Sequence, residues 1–145
     1  KFSAKQREFY ELAFRIRKVC LDSYRPGITL GAVGQNVRKY LIDNGYDPDE
    51  PRFRGFVRFG GYNHSVGMAV HDDMGTFAGS DEVLKEGFVF ACDINMIYAD
   101  IEMGIRLEDT VVITADGSEV LSAGLPRTVA EVEEEMNHNR NNGTH

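Results

Sequence analysis

The sequence predicts an α+β domain in which two helices pack on a curved antiparallel sheet and a short helix closes the chain. Three observations lead there. Apolar residues recur at spacings of three and four through the first 43 residues; aromatic and β-branched runs replace them later; and Pro-Gly, Asn-Gly and Asp-Gly pairs punctuate the boundaries. With 145 residues there is room for one core of ordinary size.

Taken in order, Ser3 and Gln6 form a capping-box pair, and Phe9, Leu12, Ile16, Val19 and Cys20 line one face of a first helix. It ends near Tyr24, because Pro26-Gly27 cannot continue it. Thr29 caps a second helix faced by Leu30, Val33, Val37, Tyr40 and Leu41 and stopped by Asn44-Gly45. The stretch YDPDEP over 46–51 reads as a loop, and Phe53 to Phe59 has strand-like composition. Further strands are expected at Phe88 to Asp93 and at Ile105 to Glu108 running into Val111 to Thr114. Asp116-Gly117 then turns the chain into Val120-Leu121. Thr128 with Glu131 is a second capping box, which predicts a short helix over Val129 to Met136. The organisation is one domain over residues 1–137 with a polar tail at 138–145.

Composition narrows the function. The chain is 42% hydrophobic and 27% charged, as a globular domain is, and no apolar run approaches the roughly 18 residues of a membrane-spanning helix. Its 16 Lys and Arg against 23 Asp and Glu leave a charge of −7, which repels phosphate backbones and anionic lipid, so neither nucleic acid nor membrane is an expected partner. Part of the excess collects in Glu131, Glu133, Glu134 and Glu135, read as a solvated helix face. Cys20 and Cys92 follow neither a disulfide nor a metal spacing and are expected as buried thiols. With no signal-like start, the expected location is cytoplasmic. Residue 1 is Lys rather than Met, and a longer polypeptide is expected around this stretch.

Few polar residues stand where they invite chemistry. His64 and His71 flank a glycine-containing loop; on a straight strand their odd separation would send them to opposite faces, and Gly67 offers the irregularity that lets them converge. Asp93 sits within the apolar run VFACDINMIY, where an ionised carboxylate needs a partner or a cation. Arg106 and Glu108, two apart, share a strand face opposite to Ile105 and Leu107. Each has a plainer reading, as a structural histidine or a cross-strand ion pair. Together, His64, Asp93 and Glu108 are the residue types of a hydrolytic metal site built from several strands.

The order His64-Ser-Val-Gly67 with His71-Asp72, then Leu84-Lys-Glu-Gly87-Phe-Val-Phe90, then Gly104-Ile-Arg106-Leu-Glu108-Asp109-Thr-Val-Val-Ile-Thr resembles the C-terminal half of the pita-bread metallopeptidases, the creatinase and methionine aminopeptidase superfamily. Within it the Arg-x-Glu-Asp form is most similar to Xaa-Pro aminopeptidases and prolidases, and the opening QREFYELAFRIRKVCLDSYRPGITL resembles the helix and turn that precede the histidine motif in them. The resemblance implies a pita-bread fold and a peptidase that releases an N-terminal residue ahead of proline, using two divalent ions, Mn or Co ahead of Zn or Fe. It makes His64 the imidazole ligand, Glu108 the carboxylate bridging both ions, and His71 the residue that steadies the tetrahedral intermediate. Asp93 takes the place of a glutamate that serves as ligand and general base, and Arg106 orients Glu108. The implied partners are a peptide substrate, the N-terminal half of the catalytic domain and, as an option, a second copy in a homodimer.

The sequence departs from that pattern in three places. Two further aspartate ligands are absent from it, so the fragment alone is expected to be inactive. Asp93-Ile94-Asn95 replaces Glu-Pro-Gly. Gly60 stands four residues before His64, where proline-directed members often carry another histidine. Two alternatives therefore stand beside the peptidase: an inactive homologue that binds peptides or proteins, and a creatinase-like C–N hydrolase.

Overall fold

A computed structural model of the chain describes residues 1–69, 71 and 81–142. Asp72 of the histidine motif and the last residues of the predicted tail, His145 among them, lie outside the described residues. The elements are α1 (Ala4–Ser23), α2 (Leu30–Asp43), a 3-10 turn (Pro51–Phe53), α3 (Arg54–Phe59), β1 (His64–Ser65), β2 (Val89–Tyr98), β3 (Met103–Ile113), β4 (Ser118–Val120) and α4 (Val129–Asn142). The four strands form one antiparallel sheet in the order β1-β2-β3-β4.

The helices begin where the caps predict. Ser3 and Gln6 bond each other's backbone at the start of α1, and Thr29 accepts from Ala32 at the start of α2. Phe9, Leu12, Ile16 and Cys20 of α1 are buried against β2 and β3, and Leu30, Val33, Val37 and Leu41 of α2 are buried between α1 and α3. Alternation along β2 sends Phe90, Cys92, Ile94, Met96 and Tyr98 into the same core, and Leu107, Val111 and Ile113 of β3 join them. Each large apolar side chain so covered is worth about 2 kcal/mol. One face of the sheet is thereby closed by helices, and the other carries Asp93, Asn95, Arg106 and Glu108.

Residues 53–59 correct the sequence reading: they are helical. Phe53 and Phe56 are both fully buried, a spacing of three that only a helix can place on one side; Pro51 opens the turn and Gly60 closes it. Composition suggested a strand, whereas spacing decided for a helix. Gly60 adopts a left-handed conformation with φ of 71°, and a Cβ there would lie 2.4 Å from Val33 Cγ1, so packing against α2 excludes a histidine at this position.

Two strands and a helix are longer than predicted. β2 continues past Asp93 to Tyr98 because Ile94, Met96 and Tyr98 keep finding the core. β3 runs unbroken through Asp109 because that carboxylate is paired on the helix side. α4 passes Met136 to Asn142, no Gly or Pro intervening to stop it. Within the acidic run, Glu131 accepts from the backbone of Arg127 and Thr128, and Glu133 accepts from Phe2 and Arg7, tying α4 to the start of α1.

Candidate metal centre

The site is built by strand parity and register. Arg106 and Glu108 share the open face of β3 while Leu107 and Asp109 turn inward. Asp93 lies directly opposite Glu108, and Arg106 opposite Asn95, so the guanidinium reaches Asp93 on the diagonal. It does so with both arms: Arg106 Nε donates to Asp93 Oδ1 at 3.1 Å and Nη2 to Oδ2 at 2.8 Å, while Nη2 also approaches Glu108 Oε2 at 3.2 Å. The sequence reading had Arg106 orienting Glu108; Arg106 holds Asp93 with two hydrogen bonds and also makes an ion-pair contact with Glu108.

His64 arrives from β1, opposite Ala91, whose small side chain lets the imidazole lie across β2. Its Nε2 is 3.0 Å from Glu108 Oε1, and its Nδ1 is 3.0 Å from the Ser65 carbonyl. The Ser65 carbonyl can only accept, so Nδ1 carries the hydrogen there, and Nε2, which faces the carboxylates, is the nitrogen placed to ligate an ion. β1 is only two residues long, so strand parity never governs His71. Its ring meets that of His64 edge-on, with centroids 4.3 Å apart.

One ligand atom each from His64, Asp93 and Glu108 lies within 4.8 Å of the others. A divalent ion held at about 2.0–2.2 Å from such nitrogen and oxygen donors needs them about 4 Å apart or less, so closing by under an ångström completes the fit. The chemistry of the set is also suitable: an oriented imidazole beside two carboxylates. Asp93 is only 3% exposed, and burial pushes its carboxyl above the usual range against the pull of the Arg106 guanidinium, a cost that a cation would relieve. Each Asp93 oxygen accepts one bond from Arg106 and keeps a second lone pair with which to meet an ion.

The sequence reading gave no role to Asp109. Its carboxylate faces the helices, fully buried, and accepts from Arg17 of α1, from Ser122, and from both Nε and Nη2 of Arg127. Parity held the signal, because Asp109 falls on the Leu107 and Val111 face, where a lone carboxylate cannot remain unpaired. This cluster locks β3 to α1 and to the segment leading into α4, and so sets which way Glu108 faces. Cys20 and Cys92 are free, buried thiols on the helix side, Cys92 directly across from Asp109.

The model of metallopeptidase family M24 matches residues 1–115 of the chain. An Xaa-Pro dipeptidase of Lactobacillus delbrueckii subsp. lactis is 33% identical over 113 residues, covering 78% of this chain and 28% of that protein. An Xaa-Pro aminopeptidase of Haemophilus influenzae is 30% identical over 158 residues, covering 94% and 36%. Among solved structures, the Zn-substituted Escherichia coli aminopeptidase P in complex with product superposes with a TM-score of 0.73 at 28% identity, covering 95% of this chain and 36% of that one. The chain thus spans about a third of the length of the relatives it matches. The fold is the pita-bread fold of aminopeptidase P and prolidase, and the chain belongs to metallopeptidase family M24.

Proposed function

We propose that this chain is the ligand-bearing C-terminal part of a peptidase that releases the N-terminal residue from Xaa-Pro peptides with two divalent ions. One observation carries the reading: His64, Asp93 and Glu108 bring an imidazole and two carboxylates to one point on the open sheet face. The named Xaa-Pro dipeptidase and aminopeptidase relatives support the substrate class. The oxygen-rich donor set favours Mn or Co ahead of Zn or Fe.

When bound, the divalent ions supply Lewis acidity and an activated water. The chain's own residues do the rest. His64, Asp93 and Glu108 would hold the ions, and Glu108, whose two oxygens face His64 and Arg106, would take the shared-ligand role that the resemblance implies. Asp93, directly across from Glu108, is assigned the ligand and general-base place that the resemblance implies. Arg106 keeps the two carboxylates side by side. His71, exposed and edge-on to His64, can donate a hydrogen bond to the oxygen that gains charge on the scissile carbonyl. Three ligands cannot hold two ions, so the remaining ones are assigned to the N-terminal half of the catalytic domain, outside this sequence. Alone, the 145 residues are expected to bind metal weakly and turn over negligibly. Two free thiols suit the reducing cytoplasm, the proposed location.

The second reading, an inactive homologue that binds peptides or proteins, is favoured by Arg106, whose two bonds give the Asp93 carboxylate a cationic partner without any metal. Assaying the complete polypeptide with Mn²⁺ or Co²⁺ on Xaa-Pro peptides separates the two. Cleavage that falls by about a hundredfold or more in His71→Ala supports the peptidase and the role of His71. Metal binding without cleavage supports the binding module, and full activity of His71→Ala rejects that residue's role.

A further inference from the structure

His64 reaches the open sheet face from a short and pliant piece of chain. β1 is two residues long, and Gly60 and Gly61 before it both hold positive φ angles, 71° and 134°. A glycine has no side chain with which to hold such a conformation. The ladder to β2 adds two pairs and, beyond them, the Tyr62 N–H bond to the Asp93 carbonyl at 2.8 Å. The remaining restraints come from the helix side, where alternation puts Asn63. The Phe59 carbonyl can only accept, so Asn63 Nδ2 faces it at 3.3 Å and closes the bend that leaves α3. That leaves Oδ1, which stands 3.3 Å from the Tyr24 hydroxyl and accepts its proton. Tyr24 is buried at the end of α1, its ring edge-on to Phe90 at 5.1 Å and its oxygen 3.3 Å from the Cys92 thiol. One turn earlier, the Cys20 thiol donates to the Gly60 carbonyl at 2.8 Å. A Cβ on Gly61 would come within 3.1 Å of Asn63 Oδ1, so the amide also fills the space beside the second glycine.

We propose that Asn63 is a positioning residue of the metal centre: bridging the Phe59 carbonyl and the Tyr24 hydroxyl on the helix side, it fixes the backbone from which the His64 imidazole reaches Glu108 on the other. This rests on the reading of His64 as a metal ligand. Consecutive strand residues face opposite ways, so a rotation of Asn63 about the strand axis swings His64 with it. His64 Nε2 then leaves its place 3.0 Å from Glu108 Oε1, and the ligand set opens.

The test titrates the complete polypeptide and its Asn63→Ala, Tyr24→Phe and double variants with Mn²⁺, free ion being read by electron paramagnetic resonance. Asn63→Ala is expected to weaken Mn²⁺ binding about tenfold. Tyr24→Phe keeps the buried ring, deletes only the hydroxyl, and should weaken it about threefold. The double variant should bind as Asn63→Ala does, because both changes act through one bridge. In the metal-free state, histidine-selective ¹⁵N labelling should show His64 with its hydrogen on Nδ1 in the parent and shared between the two nitrogens in Asn63→Ala. A merely structural asparagine would lower the urea midpoint and leave both the Mn²⁺ affinity and the His64 tautomer unmoved. That result overturns the proposal, as do effects that multiply in the double variant. If Asn63→Ala does not fold, Tyr24→Phe decides, and parental Mn²⁺ affinity in it overturns the bridge. Should His64→Ala bind Mn²⁺ as tightly as the parent, the ligand reading itself fails and the proposal with it.

Discussion

Replacing Asp109 by Ala removes the carboxylate on which three parts of the chain converge. Its side chain is 0% exposed, and its partners Arg17 and Arg127 expose only 11% and 18% of theirs. Truncation leaves two poorly hydrated guanidinium groups facing each other across a void. Breaking a buried ion pair from one side costs about 3–5 kcal/mol, and because both arginines keep a path to water the lower end applies. Against a total stability on the order of 5–15 kcal/mol that is a large fraction. A loss of about 3 kcal/mol lowers Tm by about 6–12 °C in a chain of this size. Urea and thermal unfolding followed by far-UV circular dichroism measure it, with Asp49→Ala, from the exposed pair with Arg38, as the control that should not move.

The same carboxylate fixes the pH dependence. Burial pushes Asp109 up, but the hydrogen bonds from Arg17, Ser122 and Arg127 outweigh it, and the group lies below the usual carboxylate range. A carboxyl with a lower pKa folded than unfolded stabilises the chain fully above the unfolded value of about 4, and that gain is lost as pH falls through the folded value. The stability gap between the parent and Asp109→Asn should therefore be widest near neutrality and close on acidification. A gap under about 1 kcal/mol at neutral pH would refute the assignment of Asp109 as the latch between β3, α1 and α4. So would a gap that persists unchanged into acid.

Two further outcomes are expected. Gly60→Ala forces a side chain into a left-handed backbone and onto Val33, and should cost about 2–3 kcal/mol in a urea titration; an unshifted midpoint would contradict the packing of α3 on α2. Burial pushes the Cys92 thiol up to about 12 and Cys20 well above its ordinary value, so a thiol reagent should label neither until denaturant is added. Rapid labelling of the native chain would show that the helix-side core is not closed.

Local signals made much of this fold legible. Ser3, Thr29 and Thr128 marked helix starts, and the apolar spacing after the first two marked their buried faces, because caps and periodicity involve neighbours within one or two turns. The parity of Arg106 and Glu108 was readable for the same reason. The strand expected at 53–59 failed because aromatic composition outweighed the three-residue spacing of Phe53 and Phe56. What sequence could not supply was register. That Asp93 faces both Glu108 and Tyr62, and that Arg106 grips it diagonally, follows from contacts between residues 13 to 31 positions apart in the chain. Asp109 was half legible: parity put it inward, but its partners Arg17 and Arg127 lie far away in sequence.

The most direct measurement is paramagnetic broadening of a ¹⁵N-labelled chain by substoichiometric Mn²⁺, which marks the preferred ion position even when affinity is low. The sheet face with His64, Asp93 and Glu108 is set against the α4 run of Glu131, Glu133, Glu134 and Glu135. The amides of His64, Asp93 and Glu108 should broaden first, and Glu108→Gln should abolish the effect there. Broadening centred on residues 131–135, with those three amides left sharp, would contradict a metal centre on the sheet.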